Sequence, residues 1–414
     1  MKKVKVIATL LILPVLALAG IGATSLSTQP VASSAASPAS VNQAPVQAPA
    51  TTIDSSSLAA YQSTLEQIYQ QVDPSVVSIQ VIDNSSTTSF QSPQGQVNPF
   101  GNSPTQQGPS MALGSGFVWD TQGDIVTNNH VIAGASQIQV TFADGTTVPA
   151  TLVGADLNSD LAVIKVNVPA SELHPVTLMN SDQVKVGQMA IAIGNPYGLS
   201  NTMTTGIISG LARSLPVGLD TQAAQTGPTY SIPDIIQTDA PINPGNSGGV
   251  LVNDQGQLMG VTAAIESPVN ANSGIGFVIP SNIVNQVVPS LIKTGKYQHP
   301  YLGISGTSLT PAIAQAMNLP SNTKGALVVQ VSPGGPAANA GLQGSNTQAT
   351  IDGQPVAVGG DVITAINGQP VTRFEDLSAY LFSNTQVGQT VTLTILRNGQ
   401  QQSVQVTLGT RPSN

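Results

Sequence analysis

Cysteine is absent from this chain of 414 residues. That excludes a disulfide framework, thiol catalysis, and zinc or iron–sulfur centres held by thiolates. Histidine is scarce, and the three present (His130, His174, His299) lie far apart, so no His-based metal site and no metal or organic cofactor is expected. Charge is also sparse. Twelve Lys+Arg and 20 Asp+Glu make only 8% of the chain, against about 25% in ordinary soluble proteins. With a net charge of -8 and no basic run, nucleic acid is not an expected partner, because phosphate neutralisation needs clustered Lys and Arg. Low Lys/Arg with abundant Ser, Thr, Asn and Gln would suit acidic surroundings, where protonated carboxylates leave a basic chain strongly cationic.

What is present sorts into segments. Met1-Lys2-Lys3-Val4-Lys5 is a short basic start, followed by an apolar run from Val6 to Ala23 with Ala17-Leu18-Ala19 as a small-x-small site. This order predicts an extracytoplasmic protein: periplasmic, secreted, or anchored at the outer face of the cytoplasmic membrane. Residues 1–23 then act as a cleaved signal or as an uncleaved membrane anchor through residues 6–23. Residues 24–57, rich in Ser, Ala, Pro and Gln, read as a flexible linker. Leu58, Tyr61, Leu65, Ile68 and Val72 recur at helical spacing up to Pro74. A strand is expected over Ser75–Ile82, then a long polar loop over residues 84–112. Short β-type runs follow at Gly116–Trp119, Asp124–Thr127, Ile138–Phe142, Leu161–Val166, Met189–Ile193 and Val250–Val252. Turn residues separate them, the pattern of barrels or sandwiches. A helix over Ile283–Ile292 closes the stretch 58–295. Residues 299–410 read as a separate module. It has a short helix at Pro336–Ala340, a capping box Thr372-Arg373-Phe374-Glu375 opening a second helix, and a hairpin turning at Asn398-Gly399.

One segment carries chemistry: Asp239-Ala240-Pro241-Ile242-Asn243-Pro244-Gly245-Asn246-Ser247-Gly248-Gly249. A serine hydroxyl becomes a nucleophile when a base takes its proton and a sharp turn presents it. Flanking glycines let successive peptide N–H groups of Gly245, Asn246 and Ser247 converge on one point as an oxyanion hole, with Gly245 and Ser247 as the donors. His130 follows a predicted strand in Thr127-Asn128-Asn129-His130-Val131, and Asp160 immediately precedes another. A carboxylate there could fix the imidazole tautomer. The order His130, Asp160, Ser247 is one known order of the Ser-His-Asp triad. His174 and His299 read as surface or satisfied core residues.

These segments, with Gly114-Ser115-Gly116-Phe117-Val118, Ile193-Gly194-Asn195-Pro196 and Gly274-Ile275-Gly276-Phe277-Val278-Ile279-Pro280, resemble the HtrA (DegP/DegQ/DegS-like) serine proteases over residues 58 to 410. The resemblance implies a mainly β chain: a chymotrypsin-like double β-barrel followed by one PDZ domain, a β-sandwich with two helices. It implies ATP-independent cleavage of unfolded or misfolded exported proteins, by homotrimers or larger assemblies. His130 is then the base, Asp160 its orienter and Ser247 the nucleophile. Pro241 and Ile242 floor the specificity pocket, and Ile275, Gly276 and Phe277 wall it, so cleavage after Val, Ala or Leu is expected rather than after Lys or Arg. Tyr301, Leu302, Gly303 and Ile304 become a loop binding the C-terminal carboxylate of peptide partners, with the polar insertion 344–358 near its groove. The competing reading is a non-catalytic peptide-binding chaperone on the same scaffold. One conflict is internal. Imidazole with a pKa of ~6.5 is protonated well below pH 5, so work in acid would require the fold to depress His130.

Overall fold

The computed structural model describes residues 55–83, 110–196, 201–217, 230–263 and 274–412. The expected signal or anchor, the linker as far as residue 54, and most of the polar loop (84–109) lie outside the described residues. Helix α1 (Ser55–Val72) begins within the expected linker. Its last turns insert Ile68 and Val72 into the core, while Leu58 and Tyr61 are 61% and 41% exposed.

Two closed six-stranded barrels follow. The first comprises β1 (Val76–Asp83), β2 (Ser110–Val118), β3 (Asp124–Asn128), β4 (Gln137–Thr141), β5 (Thr147–Asp156) and β6 (Leu161–Val166). Its order is β1-β2-β3-β6-β5-β4. The second comprises β7 (Met189–Gly194), β8 (Thr202–Val217), β9 (Tyr230–Thr238), β10 (Val250–Val252), β11 (Leu258–Ala263) and β12 (Gly276–Pro280), ordered β10-β11-β12-β9-β8-β7. Closure removes the exposed strand edges that open sheets present. Every residue of β3, β10 and β11 is buried, so both faces of these strands lie in the interior. The four-residue helix α2 (Asn129–Ile132) caps the end of β3.

Helix α3 (Ser281–Thr294) turns Ile283, Val284, Val287, Val288 and Leu291 inward. These share one core with Leu161 and Val163 of the first barrel and Val250 and Val261 of the second. At about 1.5–3 kcal/mol for each fully buried aliphatic side chain, this helix clamps the two barrels. It ends at Gly295, whose left-handed backbone (φ 74°) lets its N–H cap the Leu291 carbonyl at 2.9 Å.

The C-terminal module contains β13 (Pro300–Tyr301), β14 (Ile304–Ser308), α4 (Pro311–Ala316), β15 (Ala326–Val331), α5 (Pro336–Asn339), β16 (Thr347–Ile351) and β17 (Gln354–Val358). It continues through β18 (Val362–Ile366), β19 (Gln369–Pro370), α6 (Phe374–Asn384), β20 (Thr390–Arg397), β21 (Gln400–Thr407) and β22 (Gly409–Thr410). The main sheet runs β14-β15-β18-β20-β21. Asn398 and Gly399 join β20 to β21 with φ of 51° and 78°, the positive pair of the tight hairpin expected from sequence. Two details differ from expectation. The capping box of α6 starts one residue later, from Arg373 to Asp376, because Asp376 accepts from both Thr372 and Arg373 backbone N–H groups. The polar insertion 344–358 folds as the β16–β17 hairpin, its Ala349, Ile351 and Val356 packed on Leu309 and Ile313.

Candidate active site

The antiparallel register of β3 and β6 sets Asn128 opposite Leu161. The residues just past one strand and just before the other therefore meet. Asp160 takes a left-handed backbone (φ 52°), a conformation Asp tolerates better than most residues. Its carbonyl is held by the Asn129 N–H at 3.1 Å and by Asn128 Nδ2 at 2.9 Å. Both carboxylate oxygens then face His130: Oδ1 accepts the His130 backbone N–H at 2.9 Å, and Oδ2 meets Nδ1 at 2.7 Å. The Asp160 side chain is 10% exposed and that of His130 is 45% exposed, so the imidazole has one anchored edge and one open edge. Desolvation pulls the His130 pKa down, but the hydrogen bond and charge of Asp160 outweigh it and raise it above the usual 6.5. The depression that acid work would require is thus reversed.

Ser247 lies in the loop leading into β10 of the second barrel. Asn243-Pro244-Gly245-Asn246 is a type II turn, with the Asn246 N–H on the Asn243 carbonyl at 2.9 Å and Gly245 at φ 93°. Pro at its second position and Gly at its third are what this turn demands. A Cβ at Gly245 would sit 2.6 Å from Pro196 Cβ, and one at Gly248 would sit 2.1 Å from the Ser115 carbonyl oxygen. Glycine is required at both. The Asn246 carbonyl is drawn inward by Thr262 Oγ1 at 2.6 Å and the Gly249 N–H at 3.0 Å. Because the two groups of a peptide point oppositely, the Ser247 N–H is directed the other way. The Gly245 carbonyl is fixed by Ser115 Oγ at 2.6 Å, and that oxygen accepts the Asn195 N–H at 2.7 Å. This corrects one expectation. The Asn246 N–H is spent inside the turn, leaving Gly245 and Ser247 as the candidate oxyanion donors.

The two halves meet across β2. The Ser115 N–H donates to the Ser247 carbonyl at 2.8 Å. A Cβ on the preceding Gly114 would lie 2.4 Å from Val131 Cγ1, next to His130. Ser115 is therefore a brace that residue-type reasoning passed over, although it stood inside the Gly-Ser-Gly motif. Near the serine, Ile242 is buried, and its Cδ1 would be 2.7 Å from a Cβ on Gly276. Pro241 is half-buried and its carbonyl accepts Thr204 Oγ1 at 2.8 Å. Phe277 is half-buried and Ile275 is 50% exposed. His174 is exposed, and His299 is buried against Asp156.

In the C-terminal module, the Leu302 carbonyl accepts the Ala337 N–H and the Gly303 carbonyl accepts the Ser332 N–H, both at 2.9 Å. The Gly303 and Ile304 amides therefore point away from the body. Gly303 is left-handed (φ 83°). Strand β14 has one strand neighbour among the described residues, β15, and Phe374 of α6 closes over its Gly306.

Two barrels, a serine on a Gly-flanked turn between them and a sheet module behind define a trypsin-like serine protease carrying a PDZ domain. Comparison with known proteins agrees: the trypsin-like peptidase domain matches residues 114–261 and the PDZ domain residues 300–408. Periplasmic serine endoprotease DegP of Escherichia coli is 37% identical over 389 residues, 88% of this chain and 76% of that protein. Protease Do-like 1, chloroplastic, of Arabidopsis thaliana is 44% identical over 299 residues, 72% of this chain and 64% of that protein. The chain thus spans about two thirds to three quarters of the length of these relatives. A solved structure of the HtrA-type protease AlgW with a tripeptide superposes with a TM-score of 0.64 at 33% identity, covering 84% of this chain and 98% of that one. The chain belongs to the HtrA family of serine proteases.

Proposed function

We propose that this protein is an ATP-independent endopeptidase that degrades unfolded or misfolded proteins outside the cytoplasm through an acyl-enzyme. The observation that carries the reading is the two-point seat of His130 on Asp160, with Ser247 tied to the same barrel through the Ser115 N–H and set on a turn that directs peptide N–H groups outward. Asp160 holds the Nδ1 proton, leaving Nε2 of His130 as the acceptor. Nε2 takes the Ser247 proton as Oγ attacks the substrate carbonyl carbon. The oxygen gains negative charge against the Gly245 and Ser247 amides, worth about 3–4 kcal/mol per donor in comparable sites. The proton on Nε2 then passes to the leaving amine as the peptide bond breaks, and water releases the acid from Ser247 by the reverse sequence.

Ile242, buried beneath Gly276, fills the floor of the pocket beside the serine. The pocket therefore takes small or medium aliphatic side chains and offers no charge to Lys or Arg. Pro241, Ile275 and Phe277 complete it. In the PDZ domain, the Gly303 and Ile304 amides receive the terminal carboxylate of a peptide, with Tyr301 and Leu302 framing the loop. The peptide adds as a strand along the open edge of β14. A quality-control role, homotrimeric or larger assembly, export by residues 1–23 and anchoring through residues 6–23 belong to the same reading. The names of the periplasmic relatives support the compartment. The test is degradation of casein by the full chain beside its Ser247→Ala variant. Cleavage lost in the variant alone is the expected result, and cleavage surviving in Ser247→Ala overturns the reading.

A further inference from the structure

The turn from Asp156 to Asp160 is gripped by residues beyond the barrels. His299, between α3 and β13, is 4% exposed, and its Nε2 lies 2.8 Å from Asp156 Oδ2. That same oxygen accepts the Ser159 N–H at 3.0 Å and the Ser159 hydroxyl. Arg411, just past β22, donates from Nη1 to Asn158 Oδ1 at 3.3 Å and from its backbone N–H to the His299 carbonyl at 3.0 Å. The His299 ring is packed by Tyr297 (centroids 4.7 Å apart, edge-on) and by Phe382 of α6 (5.1 Å). Burial pushes the Asp156 carboxyl up, but His299 and Ser159 reverse this and hold it below the usual carboxylate range.

A buried carboxylate–imidazole pair is weak support for stability, because well-packed apolar residues serve as well or better. Its distinguishing property is direction. The turn it pins ends in Asp160, whose left-handed backbone and two carboxylate oxygens must all point at His130. We propose that Asp156 and His299 are positioning residues for the triad. Together with Arg411 they hold the turn that aims Asp160. The inference rests on the triad reading given under Proposed function.

The test measures kcat, KM and the acid limb of the pH–rate profile of the full chain on a short peptide cleaved after Val. In His299→Leu, kcat is expected to fall about tenfold or more with KM nearly unchanged, since misaiming by about 1 Å costs up to 10²-fold. Its acid limb moves to lower pH, because a displaced Asp160 no longer holds the proton on His130. His299→Gln, which returns an N–H donor near the place of Nε2, should restore most of kcat. A folded His299→Leu with unaltered kcat and acid limb overturns the proposal, as does equal impairment of the Leu and Gln variants. If His299→Leu does not fold, Arg411→Ala on a half-buried side chain decides: lower kcat with the same acid-limb shift supports the proposal, and an unchanged profile overturns it. Asp160→Asn separates the two levels. If it is fully active, the triad reading itself fails; if it is inactive while the His299 and Arg411 variants are unaffected, only the positioning role fails.

Discussion

Asp234, in β9, has a left-handed backbone (φ 61°) and lines a cleft of about 250 Å³ with Ser181, Asp182, Val184, Leu211 and Ile236. Burial, and secondarily the charge of Asp182, pushes its pKa from 3.8 to about 6. Below the lower value the carboxyl is protonated folded or unfolded. Between the two, only the folded chain keeps the proton, so stability falls as pH rises and the full cost is reached above the upper value. At about 1.4 kcal/mol per unit, a shift of about two units sets a ceiling near 3 kcal/mol. Because the side chain is only half-buried, solvent screening reduces this to about 1–2 kcal/mol. Asp234→Asn removes the charge and keeps a residue at home in left-handed backbone. Combined with Ser247→Ala to prevent self-digestion, it should match its parent at about pH 3.5 and exceed it at pH 7 by about 2–8 °C in Tm. Trp119, the single tryptophan, packs against the barrel core, so its fluorescence follows the relevant transition. A stability difference that is constant from acid to neutral pH, or that favours Asp234 at pH 7, refutes the reasoning.

Other outcomes follow from the same geometry. Because Asp160 raises the His130 pKa above 6.5, kcat/KM should fall with acidification along a limb centred above that value. A flat profile from about pH 3 to 7 contradicts it. Asp160→Asn should cut kcat by about 10⁴ while leaving Tm nearly unchanged, as read by steady-state kinetics and thermal unfolding. Ser115→Ala frees the Gly245 carbonyl and should lower kcat about 10- to 100-fold without raising KM, since the lost alignment acts on the oxyanion. Ile242→Ala deepens the pocket floor and should shift preference from Val toward Leu or Phe by about 10- to 200-fold in kcat/KM ratios across a peptide series.

Some of this architecture was written locally and some was not. Leu161–Val166 and Val250–Val252 could be bounded to the residue because buried strands are apolar runs between turn formers, interrupted in the first only by Lys165. Asn398-Gly399 and the Gly245-Asn246-Ser247 turn were legible for a related reason: their backbone angles admit few residue types. By contrast β8 and β9 mix polar and apolar residues across register shifts, and period-based reading passes over such strands. The Asn246 amide could not be assigned from glycine spacing, because its direction depends on the turn type and on a serine 131 positions earlier, at Ser115.

Asp156 and His299 show where such reading ends. Each residue alone has an ordinary explanation, a turn-forming carboxylate and a lone core histidine, and 143 positions separate them. Only the fold turns them into a pair, and only the pair bears on Asp160. Sequence carries a site well when the chemistry fixes residue type and local backbone together, as at Ser247. It carries poorly the groups that act by holding another residue in place, because many side chains could hold it and the partner is chosen by topology. Perturbing the holder while sparing the held group, as in His299→Leu beside Asp160→Asn, is therefore the informative experiment.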